Sequence, residues 1–344
     1  MAENRVRYAV IGTEGIGKNH IRGINENPKT SVLTAVCDSV EAFAKKAAEQ
    51  NGLDKYYTDY KEMLKDGGFD CVVVATPDQV HMEQSIAALE AGYHVLCEKP
   101  LAMYEYELDA IVEAAKKSDK KFMVGQVGRK TPAFILAKQL VEQGEIGDLF
   151  FVESEYAHDY GVLKLGEWRK DPNYLRHAIV GGGCHAMDLL RWIAGNPTEV
   201  TAYSNHKMLP DFPVDDCTIA ILKYPNNVIG KVLTSIGCKR PYTMRTVLYG
   251  SKGTMIFDNT SPELTVYHQV YYQNEDKYKY PATIYPINIK NHNMTAEIAD
   301  MSEAILKDLD IELDAAEGAN TVAVCLAAVK SAAEGKAVTP KYYK

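Results

Sequence analysis

The sequence predicts an α/β protein with an N-terminal doubly wound parallel sheet, followed by an α/β domain with a large, mostly antiparallel open sheet. In the first third of the chain, short apolar runs such as 71–75 alternate with helical patterns, which is typical of parallel strands buried on both faces. After Gly128, segments with partial two-residue alternation dominate, as in a sheet covered on one face. Turn sequences at 224–227 and 250–253 separate these segments.

The predicted first domain spans residues 1–127 and contains five strands joined by helices. Its strands are expected at 7–11, 32–37, 71–75, 94–97 and 122–125. Its helices are expected at 15–26, 40–51, 79–91 and 105–117. Right-handed crossovers between such strands give a doubly wound sheet, and these sheets bind their ligands at the carboxyl ends of the strands.

The predicted second domain spans residues 128–344 and is rich in strands. Its helices are expected at 133–143, 295–306 and 319–334. Its strands are expected at 149–156, 200–204, 217–224, 228–235, 246–249, 255–257 and 264–271. The Tyr-rich stretch 267–285 is the least regular part. Because such a sheet leaves one face open, we expect self-association, as a homodimer or a homotetramer.

Composition and charge narrow the functional class. The chain has 344 residues, of which 46% are hydrophobic and 24% charged, enough for a core in each of two domains. A formal net charge of −8 argues against a nucleic-acid partner, which calls for a basic face. With no membrane-length apolar run and no signal segment at the start, we expect no membrane partner and a cytoplasmic location. The 7 cysteines form no Cys-x-x-Cys pair and are interpreted as buried thiols in a reducing compartment.

The first strand runs into a glycine-rich turn at residues 12–17. Such a turn lets the backbone approach a pyrophosphate, which lies at the N-terminus of the following helix. The usual G-x-G-x-x-G spacing is broken, because Glu14 stands at the middle glycine, and we expect its side chain to point outward. A plain strand–helix turn is the alternative. Asp38, at the end of the second strand, favours a dinucleotide site.

The choice of cofactor depends on Asp38. A carboxylate at this position accepts hydrogen bonds from the adenosine ribose hydroxyls and repels a 2′-phosphate. The next residues, Ser39 and Val40, supply no cation for such a phosphate. NAD is therefore expected, and NADP is less favoured. The alternative is that Asp38 serves as a helix N-cap.

Further motifs follow one another along nearly the whole chain: Ala75-Thr76-Pro77 with His81, residues 92–101 around Glu98-Lys99-Pro100, Gly125-Gln126 with Arg129, and residues 144–147, 168–171, 183–188 and 331–336. In this order they resemble the signature of the Gfo/Idh/MocA family, the relatives of glucose–fructose oxidoreductase and inositol 2-dehydrogenase. The Glu-Lys-Pro triplet is its most specific mark. The resemblance implies a dinucleotide-binding (Rossmann) domain, an α/β domain with a large open sheet, and a nicotinamide-dependent dehydrogenase acting on CH–OH groups.

The resemblance also implies roles for single residues. Lys99 is expected to bind the reacting hydroxyl and take its proton, with His185 as its acid–base partner. The alternatives are a surface lysine in a turn and, for His185, a structural pair with Asp188 on one helical face. Substrate contacts are expected from Lys99, His158, Tyr160, His177 and His185. Cofactor contacts are expected from Gly12, Thr13, Glu14, Gly15, Ile16, Gly17, Asp38, Thr76, Pro77, His81, Glu98, Lys99, Gln126, Trp168 and Arg169.

One position departs from the family pattern. Many members carry an aspartate four residues before the histidine, where this chain has Gly181, the first of three glycines. Arg176 with His177, or residues 158–160, are candidates for the missing polar group. The glycines are expected to leave space for a bulkier substrate, so that glycosides or modified sugars are turned over better than free inositol. Gly181→Asp is expected to impair the natural reaction.

Three functions are weighed. The leading hypothesis is an NAD-dependent dehydrogenase for a secondary hydroxyl of a sugar, glycoside or cyclitol. The alternative is a glycoside-cleaving enzyme that works by transient oxidation and elimination, which the altered Gly181 position leaves open. A nucleotide sensor without catalysis is the third, but the retained Lys99 and His185 argue against it. Residues of metal-ligand type occur at His177, Cys184, His185 and Asp188. No metal is expected, because Cys184 and His185 are adjacent and point apart on a helix.

Overall fold

The computed structural model describes residues 5–163, 165–269, 280–287 and 293–344 of the chain. The chain divides into two compact units. The first comprises Met1–Val127, Asn293–Val322 and Tyr342–Lys344, and the second comprises Gly128–His292 and Ala323–Lys341. Among the described residues, no helix combines the length and the apolar character needed to cross a membrane.

The first unit is built on a parallel sheet. Its strands are β1 (Val6–Ile11), β2 (Ser31–Cys37), β3 (Cys71–Val74), β4 (His94–Glu98) and β5 (Phe122–Gly125). Its helices are α1 (Ile16–Asn25), α2 (Glu41–Gln50), α3 (Tyr60–Asp66), α4 (His81–Glu90), α5 (Glu105–Lys117) and, from later in the chain, α9 (Met294–Lys307). The five strands lie in the order β2-β1-β3-β4-β5 and all pairs are parallel, which is the predicted doubly wound arrangement.

Helix α9 closes the core of this unit. Ile298 and Met301 of α9 are fully buried in one apolar cluster with Tyr8 and Ile24. The Tyr8 hydroxyl lies 2.8 Å from Ser302 Oγ, so its buried polar atom is satisfied. The predicted second domain, 128–344, needs correction here, because the apolar face of α9 is buried against α1 and β1 of the first unit.

The second unit contains an eight-stranded sheet. Its helices are α6 (Pro132–Glu142), α7 (Ala178–Gly181) and α8 (Cys184–Ala194), and α10 (Ala315–Glu334) contributes residues to both units. Its strands are β6 (Leu149–Ala157), β7 (Glu199–Asn205), β8 (Cys217–Lys223), β9 (Ile229–Ser235), β10 (Thr243–Gly250), β11 (Gly253–Asp258), β12 (Glu263–His268) and β13 (Ala282–Pro286). The order is β13-β12-β11-β10-β6-β9-β8-β7, and every pair except β6–β9 is antiparallel.

One face of this sheet packs against α8, which contacts β6 and β9. The other face carries exposed apolar side chains. Strand β8 alternates, with Ile219 and Ile221 exposed at 37% and 42% between buried neighbours. Tyr203 of β7, which is 74% exposed, pairs with Ile219. In the described part of the chain, the sheet therefore has the open face that the alternation predicts.

Three elements are missing from the sequence prediction. Helices α3 and α7 span only 7 and 4 residues, too short for a helical period to stand out. Strand β13 has no buried alternation, since its residues are mostly exposed. The strand expected at 264–271 ends at His268, and its residues 270–271 lie outside the described residues.

Candidate functional site

The glycine-rich turn joins β1 to α1 and has no room for side chains. Gly12 has φ +87°, and a Cβ there would lie 2.6 Å from the Ala75 carbonyl oxygen. A Cβ on Gly17 would overlap the Gly12 carbonyl oxygen. Gly15 precedes α1 with φ +53°. The turn therefore leaves its backbone open to a ligand phosphate at the start of α1, beside Ile16.

The turn is tied to the end of β2 by Asp38. Oδ2 of Asp38 accepts hydrogen bonds from the Thr13 backbone N–H (2.9 Å) and the Thr13 hydroxyl (3.1 Å), and Oδ1 accepts one from the Val40 N–H (3.0 Å). Val40 is the N-cap residue of α2, so Asp38 precedes the cap and does not occupy it. The Glu14 carboxylate pairs with Lys18 on α1. This ion pair directs the Glu14 side chain along α1.

His81 connects the ends of β3 and β4. Its Nδ1 lies 2.9 Å from the Pro100 carbonyl oxygen and its Nε2 lies 3.0 Å from the Thr76 carbonyl oxygen. The ring is 1% exposed. Burial acts to lower the pKa of His81, but Cys97, Asp78 and the Pro100 carbonyl raise it to about 10. Because both nitrogens face carbonyl acceptors, the doubly protonated ring is favoured and serves to hold the strand ends.

Glu98 and Lys99 stand at the carboxyl end of β4. Oε1 of Glu98 lies 2.8 Å from His20 Nε2, and Oε2 accepts the Lys99 N–H at 3.1 Å. Glu98 is 3% exposed and His20 0%. Burial acts to raise the pKa of Glu98, but the hydrogen bond and charge of His20, with Lys99, hold it below its usual range. Sequence reasoning missed His20, although a histidine on the buried face of α1 was a signal.

Gln126 follows β5, beside the end of β4, because Glu98 pairs with Gly125 in the sheet. Its side chain is 1% exposed. Neither amide atom has a hydrogen-bond partner among the described residues. A buried primary amide without partners is costly, so Gln126 indicates a polar ligand at this edge. Thr76, whose hydroxyl donates to Gln84 at 2.7 Å, and the exposed Pro77 follow β3 at the same edge.

The second unit gathers five aromatic residues, here called the Tyr156 cluster. They are Tyr156, His158, Tyr160, Tyr242 and His185. The Tyr156 hydroxyl lies 3.2 Å from the Tyr160 hydroxyl and 3.4 Å from His158 Nδ1, and the Tyr156 and His185 rings stack at 6.4 Å. Burial raises the pKa of Tyr156 well above its usual value and lowers that of His158. The Tyr156 hydroxyl and the His158 ring are therefore neutral near pH 7 and can both donate and accept hydrogen bonds.

Three of the predicted substrate residues, His158, Tyr160 and His185, lie in the Tyr156 cluster. His177 is the N-cap residue of α7, and burial lowers its pKa. The partner considered for His185, Asp188, accepts two hydrogen bonds from Arg129, at 2.9 and 2.7 Å. Trp168 and Arg169 are half-buried in a short 3-10 helix, where the Arg169 guanidinium lies 4.4 Å from the Trp168 ring.

The expected space at Gly181 is not there. A Cβ on Gly181 would overlap the Arg176 guanidinium, whose Nη2 donates to the Gly181 carbonyl at 3.2 Å. A Cβ on Gly182 would lie 2.5 Å from the Tyr156 ring, and one on Gly183 would lie 2.9 Å from Ile179. The three glycines are thus needed for close packing and do not form an open entrance. This removes the basis for a bulkier glycoside substrate and for the glycoside-cleaving alternative.

Among the described residues, the histidine, cysteine and acidic side chains close enough to share a metal are His20, Glu98 and Glu297. They differ from the four considered in the sequence, His177, Cys184, His185 and Asp188. His20 Nε2 and Glu98 Oε1 lie at hydrogen-bond distance from each other. We therefore interpret these two side chains as a hydrogen-bonded pair and not as metal ligands.

Two family descriptions match the chain. Residues 6–126 match the Gfo/Idh/MocA oxidoreductase family with an NAD-binding Rossmann fold, and residues 134–256 match the GFO/IDH/MocA C-terminal domain. Together they cover most of both sheets.

Several curated relatives are dehydrogenases. Levoglucosan dehydrogenase of Pseudarthrobacter phenanthrenivorans is 27% identical over 67% of this chain and 66% of its own length. Myo-inositol 2-dehydrogenase of Thermotoga maritima is 28% identical over 74% of this chain and 75% of its own length. A solved structure of levoglucosan dehydrogenase with NADH and L-sorbose superposes with a TM-score of 0.89 at 23% identity, covering 99% of this chain and 100% of that one. This superposition shows that the chain shares the fold of that structure.

Proposed function

Because the chain belongs to the Gfo/Idh/MocA oxidoreductases, whose N-terminal domain is an NAD-binding Rossmann fold, we propose that it oxidises a secondary hydroxyl of a sugar or cyclitol with NAD. The observation that carries the proposal concerns two residues at the carboxyl ends of strands in the first sheet. There Lys99 follows β4, and the partnerless amide of Gln126 follows the adjacent strand β5. The proposed proton acceptor and a side chain that needs a polar ligand thus follow neighbouring strands.

The residues at this edge fit a dinucleotide. The turn at Gly12–Gly17 has the close-approach geometry for a pyrophosphate, and Gln126 offers a buried amide to a polar group of the cofactor. Asp38, with no cation in Ser39 or Val40, favours NAD over NADP. NAD supplies the hydride acceptor that alcohol oxidation requires.

We assign proton transfer to a residue of the first unit and hydrogen bonding of the sugar to residues of the second unit. Lys99 holds the reacting hydroxyl through Nζ and takes its proton as the carbon loses hydride. The backbone of Lys99 is fixed by the Glu98 carboxylate. In the second unit, His185 and the other members of the Tyr156 cluster supply hydrogen bonds to sugar hydroxyls. His185 is only 6% exposed, so its ring is shielded from water.

We further propose that the protein is a homo-oligomer that associates through the open sheet face. Support comes from Tyr203, Ile219 and Ile221, whose exposed side chains share this face. A cytoplasmic, reducing location is supported by the cysteines, all of which are free thiols, with five of the 7 buried.

The test is NADH absorbance with purified protein, NAD and a panel of hexoses, anhydrosugars, inositols, sugar acids and aryl glycosides. Growth of the NADH band with at least one sugar or cyclitol supports the proposal. Release of the aryl group without net NADH would instead establish glycoside cleavage and overturn it. If no member of the panel reduces NAD although the protein binds NADH, the proposed activity is wrong.

A further inference from the structure

One buried carboxylate fastens the chain between β7 and β8. Oδ2 of Asp216 accepts hydrogen bonds from the backbone N–H groups of Lys207 (3.0 Å), Met208 (2.6 Å) and Leu209 (2.8 Å). Asp216 is 1% exposed. Consecutive N–H groups that converge on a carboxylate oxygen form charge-assisted hydrogen bonds, which are stronger than those between neutral groups. Asp216 therefore fixes the start of residues 207–214, here called the 207–214 loop.

The 207–214 loop buries two apolar side chains beside the Tyr156 cluster. Leu209 and Phe212 are each 7% exposed, and the Leu209 carbonyl accepts the Phe212 N–H at 3.0 Å. The centroid of the Phe212 ring lies 6.2 Å from that of Tyr160, and the two planes are tilted by 52°. The Tyr160 hydroxyl in turn lies 3.2 Å from the Tyr156 hydroxyl. Phe212 thus packs against one of the side chains proposed to bind the sugar.

The backbone also connects Asp216 to Tyr160. Ile236 donates its N–H to the Asp216 carbonyl at 2.9 Å, and the Ile236 carbonyl accepts the Tyr160 N–H at 2.8 Å. The next residue, Gly237, lets the loop come close, because a Cβ there would lie 2.5 Å from Met208 Cβ. The backbone connection does not involve the Asp216 side chain. A change of that side chain therefore acts on Tyr160 through the loop.

We propose that Asp216 is a positioning residue for substrate binding, which acts through the 207–214 loop and Phe212 on Tyr160. A phenol that is already held in place loses little conformational entropy when it bonds to a sugar hydroxyl. Such a contribution lowers KM and leaves kcat nearly unchanged, because it is made equally in the ground state and the transition state. This inference rests on the proposed dehydrogenase function and adds a residue outside the Tyr156 cluster.

Fluorine NMR of protein labelled with fluorotyrosine tests the positioning without a substrate. The Tyr160 resonance is identified by its absence from Tyr160→Phe. In Asp216→Ala this resonance should shift or broaden, because the loop that carries Phe212 has lost three hydrogen bonds. Asp211→Ala, which removes an exposed carboxylate from the same loop, is the matched control and should leave the resonance in place. A Tyr160 resonance that is the same in Asp216→Ala and the wild type overturns the inference.

Steady-state kinetics use the member of the sugar panel that reduces NAD fastest. Asp216→Ala should raise KM by about tenfold and keep kcat within about twofold of the wild type. In the Tyr160→Phe background the same substitution should raise KM by less than about threefold, since two residues that act through one contact are not additive. Asp216→Asn keeps an acceptor oxygen and should recover part of the KM. An equal factor in both backgrounds, or a fall in kcat at unchanged KM, contradicts the positioning role.

The two measurements let the two proposals fail separately. If no member of the panel reduces NAD, the dehydrogenase proposal is wrong, and the fluorine NMR comparison alone supports or overturns the role of Asp216. If Asp216→Ala does not fold, Asp216→Asn takes its place in both measurements, with smaller changes in the same direction. Unchanged NMR and unchanged KM in Asp216→Asn would then overturn the inference.

Discussion

The carboxylate of Glu98 lies 2.8 Å from Nε2 of His20, and both side chains are buried. The same carboxylate accepts the Lys99 N–H, so His20 acts on Lys99 through Glu98. Removing the histidine leaves a buried carboxylate without this hydrogen bond, at a cost of about 1–3 kcal/mol. The backbone that carries Lys99 is therefore held by a contact that reaches from α1.

His20→Leu should reduce kcat by roughly tenfold or more, because a barrier change of about 1.4 kcal/mol is enough for that factor. KM should change less, since the variant disturbs the position of Lys99 and keeps the other groups proposed to bind the sugar. His20→Gln keeps a donor for Glu98 and should recover part of kcat. Steady-state kinetics and urea unfolding are measured on both. A loss of stability with kcat unchanged would show that the pair only holds the fold.

Lys99→Ala should fold and bind NADH, while kcat falls by roughly two to four orders of magnitude, the usual worth of a positioned acid–base group. The fold should survive because Lys99 contributes its backbone N–H, which alanine retains, to the contact with Glu98. NADH fluorescence titration checks binding, and NADH absorbance checks turnover. Turnover near that of the wild type would remove Lys99 from the reaction.

Asp38→Asn should relax the preference for NAD, because the amide no longer repels a 2′-phosphate. Its oxygen can still accept from Thr13, so the turn should stay in place. Asp38→Ala loses the three hydrogen bonds as well and should also be less stable, by about 1–3 kcal/mol. Fluorescence titrations with NADH and NADPH measure the ratio of Kd values. Tighter binding of NADPH by the wild type would contradict the assignment.

His81 should stabilise the fold in a pH-dependent way. Its pKa is raised to about 10 in the folded protein, above its unfolded value of about 6.5. Its contribution is then fully present below about pH 6.5 and is lost as pH rises toward 10. The free energy of unfolding of the wild type minus that of His81→Gln, from urea titrations at pH 6, 8 and 10, should shrink at each step. A difference that grows with pH would show that the ring is neutral when folded.

Ile221→Glu should weaken self-association, because it places a charge on the open face of the eight-stranded sheet. Leu309→Glu, at a residue that is 46% exposed in the first unit, is the control. Sedimentation velocity should give a smaller particle for Ile221→Glu and an unchanged one for Leu309→Glu. A monomeric wild type would disprove association through this face.

The sequence predicted both sheets because their strands differ in period. The run at Cys71–Val74 is apolar on both faces, whereas Ile219 and Ile221 alternate with buried residues. The family resemblance singled out Lys99 and Gln126, and in the structure these two residues follow adjacent parallel strands. Local patterns could not show that α9 joins the first unit, since its contacts span almost the whole chain. Local patterns also could not show that the Arg176 guanidinium packs against Gly181, because this contact depends on the path of the short turn between the two residues.

Helix α9 makes the order of synthesis matter for the first unit. Ile298 and Met301 complete the cluster of Tyr8 and Ile24, yet they are translated about 170 residues after Val127. At a typical elongation rate, the sheet emerges from the ribosome on the order of 10–30 s before the helix that covers it. During that interval the face of β1 and α1 that meets α9 stays exposed, which makes it a surface for chaperones. A gene cut after residue 127 would make that exposure permanent.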